Sequence, residues 1–232
     1  MIRSLLFKII FYFGVIILCI LFSPALFLPK TIASFAGRMS GYWVKFCVQV
    51  ILSTKIEIIG LENIDNSKKF FVACTHQSAF ETFFLQTIFR SPFFIIKKEL
   101  MNIPIFGLFL KKIGCVYIER DSVKKENINF LDKVNKEITS SKYPLIIFPQ
   151  GSRYGVLDRP KFKKGVSRIY NLKINCLPIV MNSGIVWPKR GYLKSNKTIK
   201  ISIMKLIEPG IERSIFLSNL ENEMYKELDG LI

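Results

Sequence analysis

Residues 71–82 read Phe-Val-Ala-Cys-Thr-His-Gln-Ser-Ala-Phe-Glu-Thr. An apolar run that reads as a strand ends at Cys74, and a helical pattern begins near Phe80. His76, the one histidine of the chain, falls in the junction, where α/β sheets commonly place their active sites. Glu81 follows five residues later, in what would be the first helical turn. Within one continuous helix, residues five apart point about 140° away from each other and would not meet. If His76 is still in the loop, the chain can fold back and set the carboxylate against Nδ1. That contact would fix the tautomer and leave Nε2 to take a proton near neutral pH. A satisfied histidine at a strand end is the competing reading.

Outward from this junction, short β-rich runs alternate with amphipathic ones. Strands are expected over 55–59, 70–74, 93–96, 115–118, 145–148, 175–181 and 198–205, and helices over 80–89, 105–112, 124–140, 166–172 and 215–231. The alternation argues for an α/β fold with a mixed, largely parallel sheet flanked by helices. Residues 55–232 contain no repeat, low-complexity tract or linker and read as one catalytic domain. Residues 1–54 differ in texture. Residues 9–28 are 20 without a charge, preceded by Arg3 and Lys8 and closed by Pro29-Lys30. A helix of that length covers about 30 Å, the hydrocarbon thickness of a bilayer. Over 32–52, Arg38 and Lys45 are interleaved with Phe35, Met39, Trp43, Phe46, Val50 and Ile51 at helical spacings, an interfacial pattern. Together the two segments are expected to form an apolar helical hairpin, a membrane anchor that spans the bilayer or sinks into its cytoplasmic leaflet. A cleaved signal peptide fits less well, because the apolar core is longer than the usual one and no Ala-x-Ala-like site follows.

Composition narrows the function. Lys and Arg number 34 against 17 Asp and Glu, for a formal charge of +17, half the residues are hydrophobic, and 21 are Phe. So apolar a chain is not disordered. Residues 1–54 hold five basic groups and no acid, and the rest of the chain is basic too. Nucleic acid, an anionic membrane surface and phosphorylated substrates are the candidate partners. The cations are not organised on a recognition helix or an aromatic stacking platform, so nucleic acid is not expected. A basic, membrane-anchored nucleic-acid-binding protein is the alternative from a different class. Five cysteines without a Cys-x-x-Cys pair read as reduced thiols of a cytosolic compartment, and with a single histidine no metal site is expected. The glycine-rich signature of P-loop hydrolases and the Gly-x-Ser-x-Gly of serine hydrolases are absent.

A second junction lies some 70 residues downstream. Phe148-Pro149-Gln150-Gly151-Ser152-Arg153 follows the apolar stretch 145–147 and combines a proline stop, a glycine open to close backbone approach, a hydroxyl and a guanidinium. This set suits a phosphate cradle, with a surface turn as the competing reading. Taken together, His76-x4-Glu81 and this hexapeptide resemble the glycerolipid acyltransferases of the 1-acylglycerol-3-phosphate acyltransferase type. Their first motif is His-x4-Asp and their third is Phe-Pro-Glu-Gly-Thr-Arg. Lys98-Glu99-Leu100-x3-Pro104-x-Phe106-Gly107, continuing to Gly114-Cys115-Val116-Tyr117-Ile118-Glu119-Arg120, is similar to the second motif, and Leu177-Pro178-Ile179-Val180 to the fourth. The resemblance covers about residues 55–205. Glu81 stands for the family's Asp, Ser152 for its Thr and Gln150 for its Glu. The amide at 150 either retunes acceptor binding or replaces a hydrogen-bonding strut; the second reading is slightly favoured.

The resemblance implies transfer of a fatty acyl group from a thioester to the free sn-2 hydroxyl of 1-acylglycerol 3-phosphate, making phosphatidic acid. His76 would be the general base and Glu81 its orienting carboxylate. Arg153 would bind the acceptor phosphate with Gly151 and Ser152, supported by Lys98 and Arg120. Phe148, Pro149, Gln150 and Pro178 belong to the motifs without an assigned role. No cofactor is implied beyond the co-substrate, acyl coenzyme A or acyl carrier protein. The lysine clusters, such as Lys97-Lys98 and Lys161 to Lys164, suit an acidic carrier protein or anionic headgroups. Phe83-Phe84 and residues 105–110 are candidates to line an acyl tunnel, although core packing is the commoner role. Another lipid acceptor, such as a lyso-ornithine lipid, is the alternative within the family. The expected location is the inner membrane or its equivalent, with the catalytic domain on the cytoplasmic side.

Overall fold

The computed structural model describes residues 1–118 and 130–232. Its strands are β1 (Lys55–Ile59), β2 (Phe70–Cys74), β3 (Phe93–Lys97), β4 (Val116–Ile118), β5 (Leu145–Ile147), β6 (Asn175–Met181) and β7 (Thr198–Ile203). Among the described residues they form one sheet in the order β1-β7-β6-β2-β5-β3-β4. Strands β6, β2, β5, β3 and β4 run parallel, whereas β7 is antiparallel to β6 and β1 is parallel to β7. Five strands therefore deliver their C-terminal ends to one edge.

The central strand shows why the sheet is covered on both faces. Every residue of β2 is buried; Phe70, Val72 and Cys74 enter one core, and Phe71 and Ala73 the other. Helices α1 (Ile2–Leu21), α2 (Lys30–Val50), α3 (Phe80–Ile88) and α4 (Phe106–Lys112) contribute to the first core. Helices α5 (Phe130–Ser140), α6 (Gly165–Tyr170) and α7 (Arg213–Leu231) contribute to the second. The result is a three-layer α/β arrangement.

Most elements lie within a few residues of their expected positions. Of the helix expected over 124–140, residues 124–129 lie outside the described residues, as does Arg120. The N-terminal segment needs a correction, because the charge-free window 9–28 is not one helix. Helix α1 takes in Arg3 and Lys8 and stops at Leu21, and the chain passes into a 3₁₀ turn, Ser23–Phe27. Pro24 explains the stop, since it lacks an N–H and disfavours a helical predecessor. By length and composition α1 is still able to cross a membrane.

The hairpin shares the core of the sheet. Phe7 and Phe11 pack edge-on against Trp187 at 5.0 and 5.1 Å between ring centroids. Helix α2 buries its small residues, including Ala33, Ala36, Gly41 and Cys47, and leaves Phe35, Phe46 and Val50 exposed. At Gly41 a Cβ would lie 2.6 Å from the carbonyl oxygen of Phe83, so α2 approaches α3 where only glycine fits.

Candidate active site

His76 occupies the loop between the end of β2 at Cys74 and the start of α3 at Phe80. The side chain of Ser78 accepts the Phe80 N–H at 2.8 Å and opens the helix, which puts Glu81 in its first turn. The loop folds back as the pairing requires: Nδ1 of His76 lies 3.2 Å from Oε2 of Glu81. Glu81 is fully buried, and both of its carboxylate oxygens are met by donors. Ser78 N–H lies 3.1 Å from Oε1 and 3.0 Å from Oε2, Gln77 N–H lies 3.3 Å from Oε1, and the Ser183 hydroxyl donates to Oε1. Facing an ionised carboxylate, which only accepts, a neutral imidazole would carry its proton on Nδ1 and keep a lone pair on Nε2. The imidazole is 14% exposed, which leaves an edge open to a substrate.

The second junction, at the end of β5, grips the same histidine. Gln150 Oε1 accepts the His76 N–H at 2.6 Å, and the Tyr154 N–H donates to the His76 carbonyl at 3.0 Å. The imidazole stacks on Phe148 with centroids 4.0 Å apart. Behind Gln150, its Nε2 donates to the Tyr225 hydroxyl at 3.4 Å, which in turn donates to the Pro160 carbonyl at 2.5 Å. Gly151 turns the chain with φ of 74° and a bond from its N–H to Phe148 O. Arg153 therefore sits between Ser152 and a residue bonded to the His76 backbone. Its side chain makes no hydrogen bond or ion pair among the described residues. Lys189 donates to Ser152 Oγ at 3.3 Å, and the stem of Lys163 lies over Gly151. Among the described residues, cations without a carboxylate partner thus lie about this turn, an arrangement suited to an anion.

The remaining expected residues lie further off. Lys98 follows β3, two strands from β2, with its ammonium 5.9 Å from the Tyr117 ring. Pro178 is buried within β6 opposite Ala73, and its carbonyl accepts from Met204 N–H. Pro149 contributes its carbonyl to Lys163 N–H at 2.8 Å. Cys74, so close in sequence to His76, is no nucleophile: burial, and secondarily the charge of Glu81, pushes its thiol well above the usual range.

Several contributors were missed in the sequence. Asn182-Ser183-Gly184 follows β6 at the same edge, and its turn chemistry at the end of a parallel strand was the available signal. Lys189 lies on the connection after it. Tyr225, on α7, gave no local sign. An apolar cavity of about 70 Å³ lies between the hairpin and helices α3 and α4, bordered by Cys19, Gly37, Phe83, Phe106, Phe109 and Leu110. Phe84 instead stacks on Phe80 at 4.7 Å.

Comparison with known proteins gives the family and the fold. Residues 55–182, more than half of the chain, match the sequence model of the acyltransferase family, and the chain belongs to that family. It is similar to proteins named 1-acyl-sn-glycerol-3-phosphate acyltransferase. The Pseudomonas aeruginosa one is 34% identical over 165 residues, 69% of this chain and 63% of that protein. The Helicobacter pylori one is 28% identical over 186 residues, 78% of this chain and 76% of that protein. In Saccharomyces cerevisiae the figure is 30% over 150 residues, 62% of this chain and 49% of that protein. The fold is that of the crystal structure of the 1-acyl-sn-glycerophosphate (LPA) acyltransferase PlsC from Thermotoga maritima. The TM-score is 0.81 at 19% identity, covering 99% of this chain and 96% of that one.

Proposed function

We propose that the protein transfers a fatty acyl group from an acyl thioester, of coenzyme A or acyl carrier protein, to the free sn-2 hydroxyl of a 1-acylglycerol 3-phosphate. The single observation that carries this reading is the 3.2 Å approach of His76 Nδ1 to a buried Glu81, inside a loop bonded to the turn that bears Arg153. Nε2 takes the proton of the acceptor hydroxyl as its oxygen attacks the thioester carbonyl. A tetrahedral oxyanion forms; the C–S bond then breaks, and the thiolate leaves with a proton from the imidazolium. The alcohol is the nucleophile, so no acyl-enzyme is required. Arg153 holds the acceptor phosphate with Lys189 beside it, and Glu81 orients and stabilises the imidazolium.

Residues 1–54 are proposed as the membrane anchor, with the catalytic domain on the cytoplasmic side. One side of α1 is packed on the protein, while Ile9, Phe13, Ile16 and Ile20 are exposed at 57–62%. That asymmetry supports a hairpin lying half-immersed with its outer face in lipid. The apolar cavity under it suits part of an acyl chain.

The test is a panel of lysolipids in mixed micelles, offered with both thioesters. Lysophosphatidate is expected to be acylated, and Glu81→Gln should lower turnover about a hundred-fold or more while membrane attachment persists. Acylation of a lyso-ornithine lipid with lysophosphatidate untouched would reject the proposed acceptor, and full turnover in the variant would reject the pair.

A further inference from the structure

We propose that Ser183 is a positioning residue of this site, its buried hydroxyl fixing the plane of the Glu81 carboxylate so that Oε2 meets His76 Nδ1. The inference rests on the reading of His76 and Glu81 as the general-base pair.

Ser183 is fully buried, and its Oγ donates to Glu81 Oε1. The proton must come from the hydroxyl, because an ionised carboxylate has none to give. Its backbone is held on both sides. The preceding Asn182 donates from its amide to Leu231 O at 3.0 Å and accepts the Lys200 N–H at 2.8 Å. The following Gly184 donates its N–H to Gln77 Oε1 at 2.9 Å, and a Cβ there would stand 2.9 Å from that same oxygen. The hydroxyl is thus presented from the end of β6 by a turn tied to β7, α7 and the His76 loop.

The geometry at Glu81 shows why such a hold matters. Ser78 N–H lies almost equally far from both carboxylate oxygens, 3.1 and 3.0 Å, and acts as a pivot about which the group can swing. A glutamate has one more side-chain torsion than the aspartate of the family motif, and that terminal torsion is broad. A strong donor at Oε1, opposite the imidazole, removes the freedom that the extra methylene introduces. The shorter aspartate needs no such restraint, so Ser183 should matter in the glutamate protein and not in the aspartate one.

His76 is the one histidine in the sequence, so selective ¹⁵N-histidine labelling gives a single pair of ring nitrogens to observe. In the full-length protein the expected result is a ring protonated at Nδ1. Ser183→Ala should give a mixture of tautomers and lower kcat about ten-fold with KM unchanged for both substrates. Ser183→Thr keeps the hydroxyl and should retain the parent tautomer. In a Glu81→Asp background the alanine substitution should add no further loss relative to its own parent. Equal losses in both backgrounds, or ring-nitrogen signals unaltered by Ser183→Ala, would overturn the assignment and leave Ser183 a packing residue. If the alanine variant fails to fold, the comparison of threonine with the parent decides, since a changed tautomer with the hydroxyl present contradicts the proposal. If lysophosphatidate is not acylated even by the parent, the proposed acceptor fails while the ring-nitrogen comparison still decides on Ser183.

Discussion

Gln150 stands where the family motif has a glutamate, and its surroundings give the amide a physical reason. The Tyr225 hydroxyl has one proton, which goes to Pro160 O, and burial pushes that phenol up to about 12, so the proton stays at working pH. What the hydroxyl offers Gln150 is a lone pair, and the amide nitrogen can donate to it. A carboxylate would have to take the proton from Pro160 or face lone pair against lone pair on a side chain that is only 1% exposed. Gln150→Glu is therefore expected to cost about 1–2 kcal/mol, seen as a lowered Tm, and equal stability would show that Tyr225 does not select the amide. The cations proposed to hold the acceptor phosphate lend themselves to the same residue-scale reasoning. Arg153→Ala should raise the apparent KM for lysophosphatidate about ten-fold or more, and Lys189→Ala about two- to five-fold, because one is a fork and the other an exposed point charge. A monoacylglycerol acceptor without phosphate should show neither change; saturation unaffected by both substitutions would remove them from the phosphate site.

Elements decide whether those side chains meet. Glu81 is carried by α3, and the position of α3 is set by how closely α2 lies on it at Gly41. Phe83 O is backbone, so it cannot swing aside for a new methyl group. Gly41→Ala should cost about 1–3 kcal/mol through overpacking, roughly 2–10 °C in Tm for a domain of this size, and should lower turnover as well by shifting Glu81. Loss of stability with unchanged turnover would mean that α3 moves without carrying its first turn. The loops are equally specific: the turn at 148–154 and the turn at Asn182 are each hydrogen-bonded to the His76 loop, so both constrain it.

At the scale of the whole molecule, five parallel strands point their C-terminal ends to one edge, where the His76 loop, the turn at 148–154 and the turn at Asn182 lie, and the hairpin lies along the core on one face. Removing residues 1–52 would strip Phe7, Phe11, Val44 and Val48 from that core, so deletion is a poor test of membrane attachment. Replacing the exposed Ile9, Phe13 and Ile16 with serine leaves the packed side of α1 in place. This variant should sediment far less with anionic vesicles, since each of these side chains loses roughly 1.5–3 kcal/mol of transfer into the apolar layer. Undiminished sedimentation would place the lipid contact elsewhere on the basic surface.

The sequence by itself determined the α/β class and the strands and helices to within a few residues, and it placed a loop histidine within possible reach of a carboxylate five residues on. These are local matters: hydrophobic period, proline and glycine chemistry, and the short reach of a side chain from a strand end into the next helical turn. The charge-free window does not give the bounds of α1, because Arg3 and Lys8 can remain exposed on a helical face while Pro24 cannot continue one. Only the tertiary structure brought Ser183 to Glu81, Lys189 to Ser152 and Tyr225 to Gln150. Those facts depend on contacts across 37 to 102 residues of chain. No local period encodes such contacts, because they exist only once parallel strands distant in sequence have paired and their ends stand side by side.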